Sequence, residues 1–327
     1  MKVNENRPPK FFGPFAKHLY AFIDYKQALG YKYYTVAESL TMFDAFSEDF
    51  GVDGDLLTKE LVDSWIEKSP HEKPQTQVMR ITAIREFGKY LDSISVGTYI
   101  PPKGTGAKVQ QYVPYIFTHS EILKLFAVAD MQPVLKQYPT AHLTTPAILR
   151  LLYGTGVRVS EALALQKPDV NLNAGIIKVV DSKFGKDRLI PLSDSLTAYL
   201  SRYVANLQPT GVFFPNRKGV PLKKNGVYNS FRRILWQSGI SHGGRGSGPR
   251  LHDLRHTFAA HSIAQMVKQD IDLYVALPIL GTYLGHEKLS TTNKYVRLTA
   301  EAYPDIINTL EEKCGFVFPK LEVCHEA

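Results

Sequence analysis

The stretch LGHEKLSTTNKYVRLT (283–298) sets Tyr295 among polar residues, nine positions after a Gly-His pair. With 18 tyrosines in the chain, most must serve packing. A phenol with a pKa near 10 is ionised in roughly one molecule per thousand at neutral pH. Tyr295 can therefore act as a nucleophile only where neighbours supply positive charge and accept its proton. Candidates for those neighbours exist. In LHDLRHTFAAH (251–261), His252 and Arg255 fall three residues apart and share one helical face. Such a pair suits an anionic substrate, the guanidinium forking onto two oxygens while the imidazole moves a proton. The alternative is an Arg255–Asp253 ion pair with His252 as a helix cap. His252 and His256 also have the spacing of a zinc-hydrolase pair, but that motif places Glu after the first His, where this chain has Asp253, and needs a third ligand. Arg158, in YGTGVRVSEALAL, follows a glycine turn and opens an otherwise apolar helix. There it either pairs with Glu161 or presents a second guanidinium beside helix-start N–H groups that favour phosphate. Lys183 lies in SKFGKDRLIPL, where a hairpin tip can offer an ammonium to a leaving group.

The elements that must position these groups follow from periodicity. Residues 144–165 predict a helix, a Gly-Thr-Gly turn and a second helix starting near Arg158. Residues 175–192 predict a β-hairpin, with two β-branched runs around a glycine-containing turn. Leu196, Leu200, Tyr203 and Leu207 mark a further helix. Val227, Phe231, Ile234 and Leu235 mark another, with Arg232 and Arg233 off its apolar face. The section 252–312 reads as helical throughout. Before all of these lie amphipathic helices carrying Phe15, Leu19, Phe22 and Ile23, then Val36, Leu40 and Phe43, then Ile81, Ile84, Phe87 and Leu91. The stretch 96–114, rich in proline and glycine and without apolar period, predicts a linker.

Composition limits what such a site could act on. No apolar run approaches the roughly 20 residues that span a bilayer, and the polar start MKVNENRPPK holds no signal-peptide core. The two cysteines, Cys314 and Cys324, fit neither a disulfide framework nor a zinc site, so a cytoplasmic protein without membrane contact is expected. Residues 1–110 balance 14 Lys and Arg against 14 Asp and Glu, whereas 111–327 hold 25 against 17 and carry the whole net charge of +8. Within 214–250 eight basic residues stand with no acidic one, interleaved with aromatics and glycines, which points to a polyanion.

Taken in order, Arg158, Lys183, His252-x-x-Arg255, Gly285-His286 and Tyr295 resemble the tyrosine recombinase (phage integrase) family, over about residues 113–300. GTGVRVSEALAL looks like that family's first-arginine box and SKFGKDRLIPL like its lysine hairpin. LHDLRHTFA is similar to its His-x-x-Arg box and LGHEKLSTTNKY to its final His-to-Tyr segment. One departure is the turn Lys183-Phe184-Gly185-Lys186, where the family more often has a small residue after the first lysine. Lys183 aligns with the family lysine, and Lys186 is the other candidate. The resemblance implies a mainly α fold with a small β-sheet, built as a two-domain clamp. A helical core-binding domain (1–95), a linker (96–112) and a mixed α/β catalytic domain with a C-terminal helix (113–327) are expected. It further implies a site-specific recombinase that cuts and rejoins double-stranded DNA through a 3′-phosphotyrosyl link, without cofactor or metal, as the integrase or transposon recombinase of a mobile element. The expected catalytic set is Arg158, Lys183, His252, Arg255, His286 and Tyr295, with Arg217, Lys223, Lys224, Arg232 and Arg245 touching DNA. Assembly as a tetramer on two DNA sites is expected, the helix after Tyr295 docking on a neighbour or packing on its own domain. Type IB topoisomerase action, or a catalytically silent DNA-binding protein of the same fold, are the alternative readings.

Overall fold

A computed structural model of the chain describes residues 9–31, 33–52, 56–109, 112–180, 187–241, 243, 248–286, 292 and 295. Lys183, Lys186 and Arg245, and the helix expected after Tyr295, lie outside these residues. The chain divides into two compact units, 1–112 and 113–327.

The first unit is helical: α1 (Ala16–Ala28), α2 (Tyr34–Asp49), α3 (Lys59–Ile66) and α4 (Pro74–Ser93). Pro74 starts α4 at a position where its missing N–H is not needed, and the Thr58 hydroxyl caps α3 by accepting from the Leu61 amide. The predicted apolar stripes close on one another, with Phe15, Leu19, Phe22, Phe43, Ile84, Phe87 and Leu91 all fully enclosed. Much of the stretch expected as a linker is tied to this unit. The Tyr99 amide donates to Leu57 O (2.7 Å), Arg85 Nε to Pro101 O (2.9 Å) and the Ala107 amide to Gln77 Oε1 (3.0 Å).

The second unit holds α5 (His119–Asp130), α6 (Ala141–Thr155), α7 (Val159–Ala164), α8 (Asp194–Leu207), α9 (Lys224–Gln237), α10 (Asp253–Lys268) and α11 (Leu273–Leu284). Its sheet is antiparallel in the order β1 (Val170–Asn171), β2 (Ile176–Val179), β3 (Arg188–Pro191). The two strands of the predicted hairpin are thus paired, with Ile177 opposite Ile190 and Val179 opposite Arg188, while its turn lies outside the described residues. Ile177, Val179 and Ile190 face the core while Lys178 and Leu189 face out, the alternation expected of a sheet wetted on one side. α6 lies at the centre, packed on α5, α8 and α10.

Two predictions need correction. The turn expected at Gly154–Gly156 is shorter, because α6 runs on through Thr155 and only Gly156 turns the chain, at φ 62°. Gly154 instead permits close packing, since an added Cβ would stand 2.9 Å from Leu196 Cδ2. The section read as continuous helix from 252 breaks at 269–272. Asp270 takes φ 61° and Asp272 caps α11 by accepting from the Tyr274 amide at 2.7 Å. Short acidic side chains favour both conformations. Among the described residues no helix is long and apolar enough to cross a membrane.

Candidate active site

The first guanidinium is set by a helix start. Arg158 is the N-cap of α7 with extended backbone. Glu161, one turn on, reaches back so that its Oε2 accepts from the Arg158 amide (2.9 Å) and its Oε1 from Arg158 Nη1 (2.7 Å). The pairing weighed from spacing alone is therefore present, and a third partner joins it. Arg188, the first residue of β3, donates from Nη1 and Nη2 to the two oxygens of Glu161 (3.2 and 2.8 Å) and from Nε to Tyr283 O (3.2 Å). Burial alone would raise the Glu161 pKa. The bonds from Arg188 and Arg158 more than offset it and hold the carboxyl down at about 2.

The second guanidinium is set by main chain. Arg255 lies in the first turn of α10, is 2 % exposed, and donates to Gly156 O (2.5 Å) and Leu284 O (2.8 Å). Burial and the Arg158 charge lower its pKa to about 10, which leaves it charged at neutral pH. Asp253, its weighed partner, instead accepts from the Arg250 amide at 2.8 Å. Gly156 is essential to this seat. An added Cβ there would meet Phe258 Cδ1 at 2.5 Å and Leu284 Cδ2 at 2.8 Å.

His286 follows the left-handed C-cap Gly285 of α11. Its Nε2 lies 3.0 Å from Arg255 Nη2 and its Nδ1 2.9 Å from Thr292 Oγ1. A guanidinium only donates, so Nε2 accepts and the proton sits on Nδ1, which donates to Thr292. Burial first, then the charges of Arg255, Arg158 and Arg188, lower the His286 pKa to about 4, consistent with this neutral tautomer. Tyr295 is 3 % exposed, its ring stacked on His286 at 5.9 Å and 15°. Burial raises the phenol pKa, while the charge of Arg255, its hydrogen bond to the phenol and the charge of Arg158 pull the other way. His252, solvent-exposed as a whole, has its ring partly enclosed. That enclosure, then Arg255, Arg158 and Lys224, lower its pKa to about 4. The His256 ring neighbours both His252 and Tyr295, at centroid distances of 4.9 and 5.5 Å.

Five of the six expected catalytic residues therefore occupy one neighbourhood, and Lys183 is outside the described residues. Sequence reasoning missed Arg188, Thr292 and the placement of His256. Among the described residues no group of three His, Cys, Asp or Glu side chains assembles that would complete a metal site around the His252–His256 pair. Beside His252 opens a cavity of about 290 Å³ lined by Lys224, Tyr228 and Arg250 among others. Of the expected DNA contacts, Arg217, Lys223, Lys224 and Arg232 are all exposed, the last on the outer face of α9.

This arrangement can bind an oxyanion and bring a phenol to it. Residues 116–302 match the family model described as the phage integrase family. Tyrosine recombinase XerC of Staphylococcus saprophyticus is 30% identical over 69% of this chain and 72% of its own. The fold matches the Tn1549 transposon integrase bound to transposon right end DNA, with a TM-score of 0.66 at 14% identity, covering 91% of this chain and 98% of that one. It also matches a lambda integrase tetramer bound to a Holliday junction, with a TM-score of 0.58 at 18% identity, covering 85% and 76%.

Proposed function

The chain belongs to the phage integrase family and is a tyrosine recombinase, an enzyme that cuts and rejoins DNA, and on that premise we propose that Tyr295 is its nucleophile in site-specific recombination. The phenol oxygen attacks the scissile phosphorus and the 5′-oxygen leaves, giving a 3′-phosphotyrosyl link. The 5′-hydroxyl of another strand then reverses the step. Each half is a transesterification, so bond energy stays in the covalent link and rejoining needs no nucleotide.

The roles follow from charge. Arg158 and Arg255 neutralise the non-bridging oxygens as negative charge builds there. His252, neutral at pH 7 and partly open to solvent, takes the phenol proton. Lys183 protonates the leaving 5′-oxygen, and His286 orients Arg255. Arg217, Lys223, Lys224, Arg232 and Arg245 contact backbone phosphates, which gives affinity and salt dependence more than base choice. The likeness to a lambda integrase tetramer on a Holliday junction supports assembly of four copies on two sites. The likeness to a transposon integrase supports a role in a mobile element.

The convergence of Arg255, His286 and Tyr295 carries this reading. Its test is Tyr295→Phe on a nicked suicide substrate. DNA binding should persist and the covalent protein–DNA adduct vanish, whereas an adduct of undiminished yield removes Tyr295 from the mechanism. A two-site recombination assay beside a supercoil-relaxation assay separates strand exchange from topoisomerase action.

A further inference from the structure

Arg188 sits close to the proposed site without facing it. Its side chain is 12% exposed, against 23% for Arg158, and the carboxylate between them is 6% exposed. All three nitrogen positions of the Arg188 guanidinium donate inward, two to Glu161 and one to Tyr283 O. Gly285 leaves the room for this, since an added Cβ would meet Arg188 Nη1 at 3.1 Å and Cζ at 3.2 Å. Arg158 gives only Nη1 and its amide to Glu161. Among the described residues its Nε and Nη2 are uncommitted.

These bonds divide one negative charge unequally. Glu161 alone beside Arg158 would hold that guanidinium as a closed ion pair and cancel its field at the substrate. With Arg188 gripping the same carboxylate two-pronged, the geometry in which arginine binds most strongly, the pair Arg188–Glu161 is neutral within itself. Arg158 is then oriented by Glu161 while keeping its charge. Three guanidiniums and one carboxylate leave two positive charges, matching the two negative charges of a pentacoordinate phosphorane.

We propose that Arg188 is a positioning residue for strand cleavage: it neutralises Glu161 so that Arg158 is aimed by the carboxylate without being quenched by it. The inference rests on Arg158 acting at the scissile phosphate. A merely structural Arg188 would tie β3 to α7 and the end of α11, and its loss would weaken folding without regard to substrate charge.

The experiment measures single-turnover cleavage of two duplexes by the full chain, one with an ordinary scissile phosphodiester and one with an uncharged methylphosphonate there. For Arg188→Gln we expect a loss of roughly 10–100-fold on the phosphodiester, below the 10²–10³ of removing a direct oxyanion donor. On the methylphosphonate, which builds up one negative charge fewer, the loss should shrink to about 3-fold or less. The double variant E161Q/R188Q should recover toward E161Q alone, because no carboxylate remains to quench Arg158. Equal losses on both substrates, or a double variant no better than R188Q, overturn the proposal. Arg158→Ala is measured in parallel. If its defect also ignores substrate charge, the placement of Arg158 at the phosphate fails. If the Arg158→Ala defect shrinks and that of R188Q does not, only the role of Arg188 fails.

Discussion

Arg158 and Arg255 are brought to one neighbourhood by opposite devices. Arg255 is buried and fixed by two carbonyl oxygens, those of Gly156 and Leu284. Arg158 keeps part of its surface in water and is fixed by one carboxylate that it shares with Arg188. A seat made of main chain takes no donor or acceptor from the side chains of the residues that form it, but it fails if the backbone moves. A seat made of a side chain can be tuned by a single substitution. The comparison predicts that Arg255 is coupled to the stability of the unit and Arg158 is coupled to charge.

The sharpest break is Arg255→Ala. It removes a proposed oxyanion donor, for which a cleavage loss of about 10²–10³ is expected. It also strands two buried carbonyls and should lower unfolding free energy by roughly 1–3 kcal/mol. Adduct formation and urea unfolding read the two effects; a protein equally stable without this guanidinium would contradict the main-chain seat. Gly156→Ala tests the same seat from the other side. A Cβ 2.5 Å from Phe258 in a left-handed backbone should cost about 2 kcal/mol or more and lower cleavage by shifting the carbonyl, while the groups that bond Arg255 stay chemically the same. Glu161→Gln strikes the other seat, and a cleavage loss of about 10-fold is expected for an undirected but still charged Arg158.

The pH response separates the two as well. Glu161 is held down at about 2, so its contribution to stability is complete above the unfolded carboxyl value near 4.5 and is lost as pH falls toward 2. His252 and His286, lowered to about 4, act with the same sign. The unfolded chain takes up their protons first, so stability declines as pH falls from about 6.5 toward 4. Cleavage should accordingly show no step near pH 6.5 and fall only as pH approaches about 4; a clear titration at 6.5 would mean that at least one of the two imidazoles is not held neutral as described. The smallest effect expected is that of Thr292→Val, which removes only the acceptor for His286 Nδ1 and should slow cleavage by a few-fold, about one net hydrogen bond.

How much of this was readable from sequence follows the same line. His252, Arg255 and Arg158 stood out because charged residues on apolar helices break a pattern. The five helical stripes and the paired strands of the fold were visible for the converse reason, that their apolar periods are regular. Arg188 broke nothing. It occupies an alternating strand beside other charged residues, and its partner Glu161 lies 27 residues away on α7. Glu161 itself was visible only as a neighbour of Arg158 on the same helix. Thr292 was one hydroxyl in a polar run. The break at 269–272 did leave a trace, the two aspartates of QDID, but the apolar run LYVALPILGTYL that follows continues a helical period and hides it. Local signals thus located the groups that carry charge and missed those that aim it, because aiming is done by contacts between distant segments.

One feature of the fold bears on how such a protein fails. Among the described residues the buried apolar side chains of the first unit cluster around Phe22 and Phe87, and those of the second form two clusters, one around Phe213 and Phe231 and one around Leu284 and Tyr295. Damage to one interior should therefore fall first on the unit it belongs to. A lesion at Phe43 and a lesion at Leu152 should produce two different kinds of invalid, each retaining the faculty the other has lost, and a mixture of the two is a natural place to look for complementation.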